Sequence, residues 1–587
     1  MKFRIRPWLL AAGPLLALAG CDYSDSSSSS IPAGLSPAGN GPASESTGSG
    51  PSNLSLPADP GASLDDEKER KRGAILASSL SLIETASSKP GGDNFQIATD
   101  NLNHYFVAVP ASEYAMNSAS RAYLRERLPE EAVLDMERRP WILRDARHIE
   151  DCMLYHTVAT RVAGTGDDLT RVRRVFDWTV RQITLVPQQT LSAPGVPQVP
   201  ARPFDVLLRG MATEAGGNWS ERGWLFMSLC RQLGIDVGIV TYTPTGAKEA
   251  ELGTKGTETG AKGPEPAVWI CAALIDKKLY LFDARIGLEV PGPTGAGVAT
   301  LDDALNHDIV LGRLDLPAPS PYDTTRDLLR KSPSKIGILI DSGPGYFSPR
   351  MLLLQEKLVG RNRTILHRDP ADQRDRFAEA LGAHAGKVAL WGLPMMVETR
   401  LFTDPQFVRS TQLALMLFQP RLPLVYARLK QLKGETNEAI LDYVNFRFAE
   451  SSTEVDKKTP LPREVQDALD IYATYFLGLC HLERNDAKQA AFFFEKTLAL
   501  VPEPGPGRPY YYMLRWGALA NLGRLKESEG DSSAAIAYDT EPNPTIQYHG
   551  NLVRARDLLW QDPTAPPHAP LAAAPVMPSV PAGIMKP

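Results

Sequence analysis

The sequence predicts an α+β chain on three observations. Two helices precede a strand and a β-hairpin in the middle of the chain, the C-terminal third is helical with small residues at repeat spacing, and the stretches 22–64 and 561–587 that flank this body are poor in large apolar residues. In "DDLTRVRRVFDWTVRQI", Leu169, Val172, Val175, Phe176 and Val180 share one helical face while Arg171, Arg173 and Arg174 mostly face water. A loop rich in Pro and Gln follows. The stretch "GGNWSERGWLFMSLCRQLGI", Gly216 to Ile235, then reads as a Gly-Gly-Asn turn opening an apolar helix that Gly234 terminates. "DVGIVTYTP" is β-branched and apolar, hence a strand. After a long surface loop, "AVWICAALI" and "LYLFDARIG" form a hairpin around Asp276-Lys277-Lys278. The first hairpin strand is apolar on both faces, which predicts an inner strand covered on each side.

The ends carry address and tether. "MKFRIRPWLLAAGPLLALAGC" sets Lys2, Arg4 and Arg6 before an apolar run too short to span a bilayer, the layout of an export signal over residues 1–20. Its close, Leu18 to Cys21, resembles the lipobox of bacterial lipoproteins. That resemblance implies acylation of Cys21 and anchoring at a membrane of the cell envelope, facing periplasm or exterior. Residues 21–64 are rich in Ser, Pro and Gly and read as a disordered tether, and 561–587 as a Pro/Ala-rich tail.

Composition excludes several classes. Net charge is −5 and no candidate helix carries a basic stripe, so no nucleic-acid partner is expected. Besides Cys21, the cysteines are Cys152, Cys230, Cys271 and Cys480, none in a C-x-x-C pair, and each lies in an apolar segment that predicts a small buried residue. With no H-E-x-x-H, Walker or Rossmann pattern, neither metal nor cofactor is expected. "GPGYF" at Gly343 reads as a turn.

The order of helix, strand and hairpin over residues 145–300 resembles the transglutaminase-like superfamily, which implies a papain-like α+β fold. The family places a Cys at the helix start, fifteen residues before a Gly-Ile, then a His two residues before a Trp, and an Asp at the end of the next strand. Counting back from Gly234 puts the cysteine position on Trp219, and counting back from Trp269 puts the histidine position on Ala267; the aspartate is present as Asp283 in "YLFDA". Leu225, Phe226, Leu229 and Arg231 match softer helix positions. Acyl transfer by that machinery needs a thiolate and an imidazole, with the carboxylate only orienting the imidazole. An indole, a methyl group and a lone carboxylate supply neither, so the resemblance implies a domain without triad catalysis and a structural Asp283. Ser220 reads as a helix cap, Cys230 as buried too far along the helix, and His148 and His156 as residues of the preceding helix. Trp219 reads as core or plug, with a stacking surface for a bound sugar or peptide as the alternative.

In "YFLGLCHLERNDAKQAAFFFEKTLALVP", Leu477-Gly478, Ala490, Phe494 and Pro502 stand at the spacing of a tetratricopeptide repeat. A second unit resembles it at Leu522-Gly523 with Ala535, its second helix cut short by "DTEPNPT". A third ends with Ala439 and Tyr443. The resulting division is a helical N-terminal region (65–144), the transglutaminase-like domain (145–300), a linking α/β region (301–410) and TPR-like repeats (411–560). The expected role is binding or scaffolding, with protein or peptide partners taken by the repeats and the membrane reached through the anchor. The alternative is a cysteine-independent peptidase or amidase acting on envelope peptides.

Overall fold

A computed structural model of the chain describes residues 64–88, 93–187, 199–214, 220–242, 267–317, 321–330, 336–360, 363–382, 387–418, 422–448, 463–501 and 510–561. Cys21, the tether up to residue 63, the loop 243–266, Trp219, Pro502 and the tail from residue 562 lie outside them. The chain divides into two compact units, 1–77 and 78–587. In the first, the described residues open helix α1 (Leu64–Glu84), where Lys71 pairs with Glu67 one turn earlier at 2.7 Å. Everything below belongs to the second unit.

Helices α2 (Asn94–Tyr105), α3 (Ser118–Arg125), α4 (Glu130–Met136), α5 (Leu143–Ala163) and α6 (Asp168–Gln182) come first. Asp167 caps α6 by accepting from the Thr170 amide, and the predicted stripe of Val172, Val175, Phe176 and Val180 is buried. Strand β1 (Thr184–Pro187) pairs in parallel with β2 (Met211–Glu214) across α7 (Pro203–Arg209). Helix α8 (Glu221–Gln232) then packs on α5, α6 and α7. It ends at Gly234, whose φ of +82° a side chain would resist, with the Ile235 amide reaching back to the Cys230 carbonyl.

A six-stranded sheet follows: β3 (Asp236–Tyr242), β4 (Ala267–Ile275), β5 (Lys278–Asp283), β6 (Leu288–Glu289), β7 (Gly337–Asp341) and β8 (Val388–Trp391), in the order β6-β5-β4-β3-β7-β8. The hairpin is as the sequence predicts: Ile275 pairs with Lys278, and Asp276 and Lys277 both have positive φ in the two-residue turn. Consecutive residues Trp269 to Ala273 are all buried, so β4 is covered on both faces. The segment 301–410, expected as a link, supplies β7 and β8 to this same sheet, with β8 parallel to β7. Around these strands it adds α9 (Leu301–Asn306), α10 (Asp308–Gly312), α11 (Arg326–Arg330), α12 (Pro344–Phe347), α13 (Pro349–Gln355), α14 (Pro370–Leu381), α15 (Gly392–Thr403) and α16 (Pro405–Ala414). No described helix is long and apolar enough to cross a membrane.

The C-terminal third is a run of helices, each packed on the next: α17 (Pro423–Lys433), α18 (Thr436–Phe448), α19 (Arg463–Glu483), α20 (Ala487–Leu500), α21 (Leu514–Ser528), α22 (Ser532–Asp539) and α23 (Gln547–Gln561). Gly478 of α19 lies against the Phe494 ring of α20, leaving no space for a Cβ, and Ala490, Ala439 and Tyr443 are fully buried. Helix α22 has eight residues, as the "DTEPNPT" break predicts.

One side of this stack is laid on the α/β portion. Helix α17 packs on α5 and α7, and α21 packs on α6 and β1. Glu483, at the end of α19, accepts from Arg161 Nη1 (2.9 Å), Trp178 Nε1 (3.0 Å) and Gln182 Nε2 (2.8 Å). Arg428 donates to the Leu207 carbonyl at 2.9 Å, the Tyr475 and Thr184 hydroxyls share a hydrogen bond of 3.0 Å, and Asn521 donates to the Arg181 carbonyl. Buried charges satisfied by carbonyls and side chains of the other layer hold their position only while both layers are in place.

Candidate functional site

The site the sequence singles out is the N-terminus of α8. Unpaired amides and the helix dipole there favour negative charge, which is how a thiolate would be stabilised. In this chain the favourable potential is taken by Glu221. Its fully buried carboxylate accepts from the Ala201 amide at 2.8 Å, the Thr213 amide at 2.8 Å and Arg209 Nη2 at 2.6 Å. The next residue, Arg222, is also fully buried and donates to the carbonyls of Ile183 and Ala284 and to Gln547 Oε1. Ser220 is the helix cap: its Oγ accepts from the Gly223 amide at 3.1 Å. These polar groups of the first turn are spent on holding α8, β2, α7 and α23 together.

Ala267 is the first residue of β4 and pairs with Tyr242. A methyl side chain at that point offers no base. Asp283 closes β5, fully buried, and is held by five donors from its own neighbourhood, the Ile286 amide at 3.4 Å on Oδ1 among them. Oδ1 accepts from the Arg285 amide (3.0 Å) and Nε (3.1 Å), and Oδ2 accepts from Arg285 Nη2 (2.9 Å) and the Tyr322 hydroxyl (2.8 Å). Tyr322 in turn accepts from Trp269 Nε1 at 3.1 Å, and Arg285 pairs with Asp323. The aspartate thus works as a strand-end clamp joining β4, β5 and the 321–325 segment. Glu221 was legible as an acidic residue in a first helical turn. Tyr322 lay in the least periodic part of the chain, and no local signal pointed to it.

The described thiols and His148 beside Cys152 are placed for packing. On α5, Cys152 donates to the Tyr346 hydroxyl at 3.4 Å and lies 3.7 Å from His148 Nε2, which also contacts the Leu366 carbonyl at 2.9 Å. Burial pushes the Cys152 thiol above its usual range and lowers His148 to about 4, the reverse of what an ion-paired nucleophile and base require. Desolvation likewise raises Cys230 and Cys480. Site-resolved alkylation in mildly alkaline buffer is therefore expected to leave Cys152, Cys230 and Cys480 unmodified in the folded chain and to label all three in denaturant. Rapid labelling of any of them in the native protein would contradict this assignment. His156 is half-buried on the same helix, with its Nδ1 lacking a partner among the described residues. Among the described residues, no group of His, Cys, Asp and Glu is arranged to hold a metal ion.

Of the positions carried by the resemblance, the structure describes Ala267 and Asp283; Trp219 and the lipidation position Cys21 fall outside the described residues. Compared with known proteins, the chain matches no family model, no curated protein and no solved structure.

Proposed function

We propose that the chain is an envelope lipoprotein that binds or scaffolds protein partners, built from a transglutaminase-like domain without triad chemistry and a TPR-like stack. The observation that carries this reading is how the two parts spend their side chains. At the start of α8, Ser220, Glu221 and Arg222 are committed to capping and buried hydrogen bonds, and Asp283 is saturated by Arg285 and Tyr322. In the stack, the side formed by α17, α19 and α21 is laid on the chain's own α/β portion, while Leu441 on α18 and Phe492 on α20 stand 61% and 52% exposed. An aromatic and an aliphatic side chain held out on rigid helices suit the anchor positions of a protein interface. The tether of residues 21–64 would set the reach of this surface from the membrane.

The test is cross-linking mass spectrometry on native membranes, comparing the natural chain with a Leu441→Asp, Phe492→Asp double variant. Partner cross-links to Lys488 and Lys496 on α20 are expected in the natural chain and lost in the variant. Unchanged cross-links would overturn the assignment of the partner surface. A peptide- or amide-cleaving activity abolished by Ser220→Ala would overturn the pseudoenzyme reading in favour of a peptidase or amidase.

A further inference from the structure

The helical hairpin of α15 and α16 is tied to itself better than to the rest of the chain. Within it, Asp404 caps α16 by accepting from the Gln406 and Phe407 amides and pairs with Arg400 of α15 at 2.6 Å, and Arg400 lies over the Phe407 ring at 4.9 Å. Toward the body the hairpin buries little. Of its 12 residues α15 buries Leu393, Pro394 and Val397, and of its 10 residues α16 buries Phe407 and Ser410, whereas α17, with 11, buries six. Few buried contacts mark the parts of a fold that open first. Beneath α15 lies α12, the "GPGYF" string that the sequence presents as a turn. That base is fixed, because a Cβ on Gly345 would collide with the His148 ring of α5 and only glycine lets α12 close down there. The pivot is at the start of α15. Trp391 is 2% exposed and its carbonyl accepts from the Ser342 hydroxyl at 2.5 Å, while a Cβ on Gly392 would meet nothing within 4 Å. The Met395 amide donates to the same hydroxyl at 3.1 Å, so this tie sits beside the pivot and leaves the far end of the hairpin unheld.

Past the pivot, the hairpin meets the body through charges that do not bond directly. Glu398 of α15 is half-buried and lines a cleft with Arg144, Asp151 and Tyr155 of α5 and with Arg202 just before α7. Burial raises its carboxyl group, the guanidiniums of Arg202, Arg144 and Arg147 lower it, and Asp205 raises it again. Among the described residues Glu398 enters no ion pair or hydrogen bond, and the three guanidiniums are engaged elsewhere. Arg202 pairs with Asp151 at 3.2 Å and Asp205 at 3.0 Å, Arg144 pairs with Asp135, and Arg147 lies over the Phe402 ring of α15 at 5.4 Å. The closed cleft holds about 30 Å³, room for a water or two between these charges and for nothing larger.

We propose that the α15–α16 hairpin is a lid that swings about Trp391 and Gly392 and is latched over the cleft by the attraction of Glu398 to Arg144, Arg147 and Arg202. Attraction across water is weaker than a bonded ion pair and is screened by salt, so the lid opens more easily than the sheet beneath it, and ionic strength sets how easily. Opening uncovers the polar floor of Asp151, Tyr155 and Arg202. The inference is independent of the partner surface on the repeats.

Hydrogen exchange of the whole protein in mildly alkaline buffer, read beside hydroxyl-radical footprinting, tests it. In the natural chain residues 392–414 are expected to exchange well before β7 and α5, and roughly threefold faster or more when NaCl is raised from about 0.05 M to about 0.5 M. Glu398→Gln should reach that faster rate at low salt and respond less to added salt, and Arg147→Gln should move part of the way. Oxidation of Tyr155, 3% exposed under the closed lid, should rise together with the exchange. Protection of 392–414 equal to that of β7 and α5, or exchange indifferent to both salt and Glu398→Gln, would overturn the proposal. So would faster exchange without added oxidation of Tyr155, which means fraying in place, or acceleration by Glu398→Gln that spreads to β7 and α5, which means damage to the fold. The salt response and the footprint of the natural protein stand whatever the variants do.

Discussion

Glu221→Ala is expected to lower the unfolding free energy by about 3–5 kcal/mol, the usual cost of removing one partner of a buried ion pair. The size follows from what the carboxylate holds. Arg209, at 2% exposure, would keep a buried positive charge without its ion partner, and the amides of Ala201 and Thr213 would lose their acceptor in the same step. Water could not replace it without opening the joint between α7, β2 and α8. Glu221→Gln should cost less, since the amide oxygen still accepts two of the three bonds. Pairing Glu221→Leu with Arg209→Met should recover part of the loss and no more, because the two backbone amides remain unsatisfied. Urea unfolding of the natural chain and the three variants at common pH measures all of this. A loss below about 1 kcal/mol for Glu221→Ala, against that same expectation, would mean that the first turn of α8 is not locked by this charge.

The same residue shows what could be read from the sequence and what could not. Local features were legible because their causes are local: the Gly234 stop, the two-residue hairpin turn and the Gly478–Phe494 approach each depend on residues within one or two elements. Strand pairing in the mixed sheet was legible only up to β5. Strand β7 joins β3 from about a hundred residues away by chain count, and β8 joins β7 in turn, and such pairing leaves no periodic trace in the strands themselves. Glu221, Arg222, Arg428 and Glu483 read as ordinary polar helix residues, whereas the fold buries Arg222 and Arg428 completely and draws Glu483 into three hydrogen bonds. Sequence reasoning assigns charged side chains to the surface because isolated burial is costly. It has no means of seeing partners that arrive from another layer. That is also why the spacing of the C-terminal helices gave no sign that one side of them is laid on the α/β portion.

The docking itself makes the second large prediction. Helix α23 lies on the segment after β5 so closely that a Cβ on Gly550 would fall on the Ile286 carbonyl, and a backbone atom cannot step aside as a flexible side chain can. Around that contact, Tyr548, Leu552 and Val553 cluster with Leu316, His549 Nε2 meets the Leu314 carbonyl at 2.7 Å, and Arg556 donates to the carbonyls of Arg313 and Asp315. Gly550→Ala is therefore expected to push α23 away and cost about 1–3 kcal/mol or more. In an isolated helix the same change would stabilise by about 1 kcal/mol, so the sign of the effect reports the docking. Gly312→Ala, on α10 with open space around it, is the matched control and should be neutral or slightly stabilising. Hydrogen exchange then locates the damage. Loss of protection in α23 together with residues 284–317 is expected, since the hydrogen bonds of His549 and Arg556 to backbone carbonyls end on that segment. Loss spreading through α17, α19 and α21 would mean that the stack and the α/β portion unfold as one cooperative unit. If Gly550→Ala stabilises the chain as it would a free helix, α23 does not sit on Ile286 in solution, and with it falls the docked side of the stack on which the assignment of the outer partner surface depends.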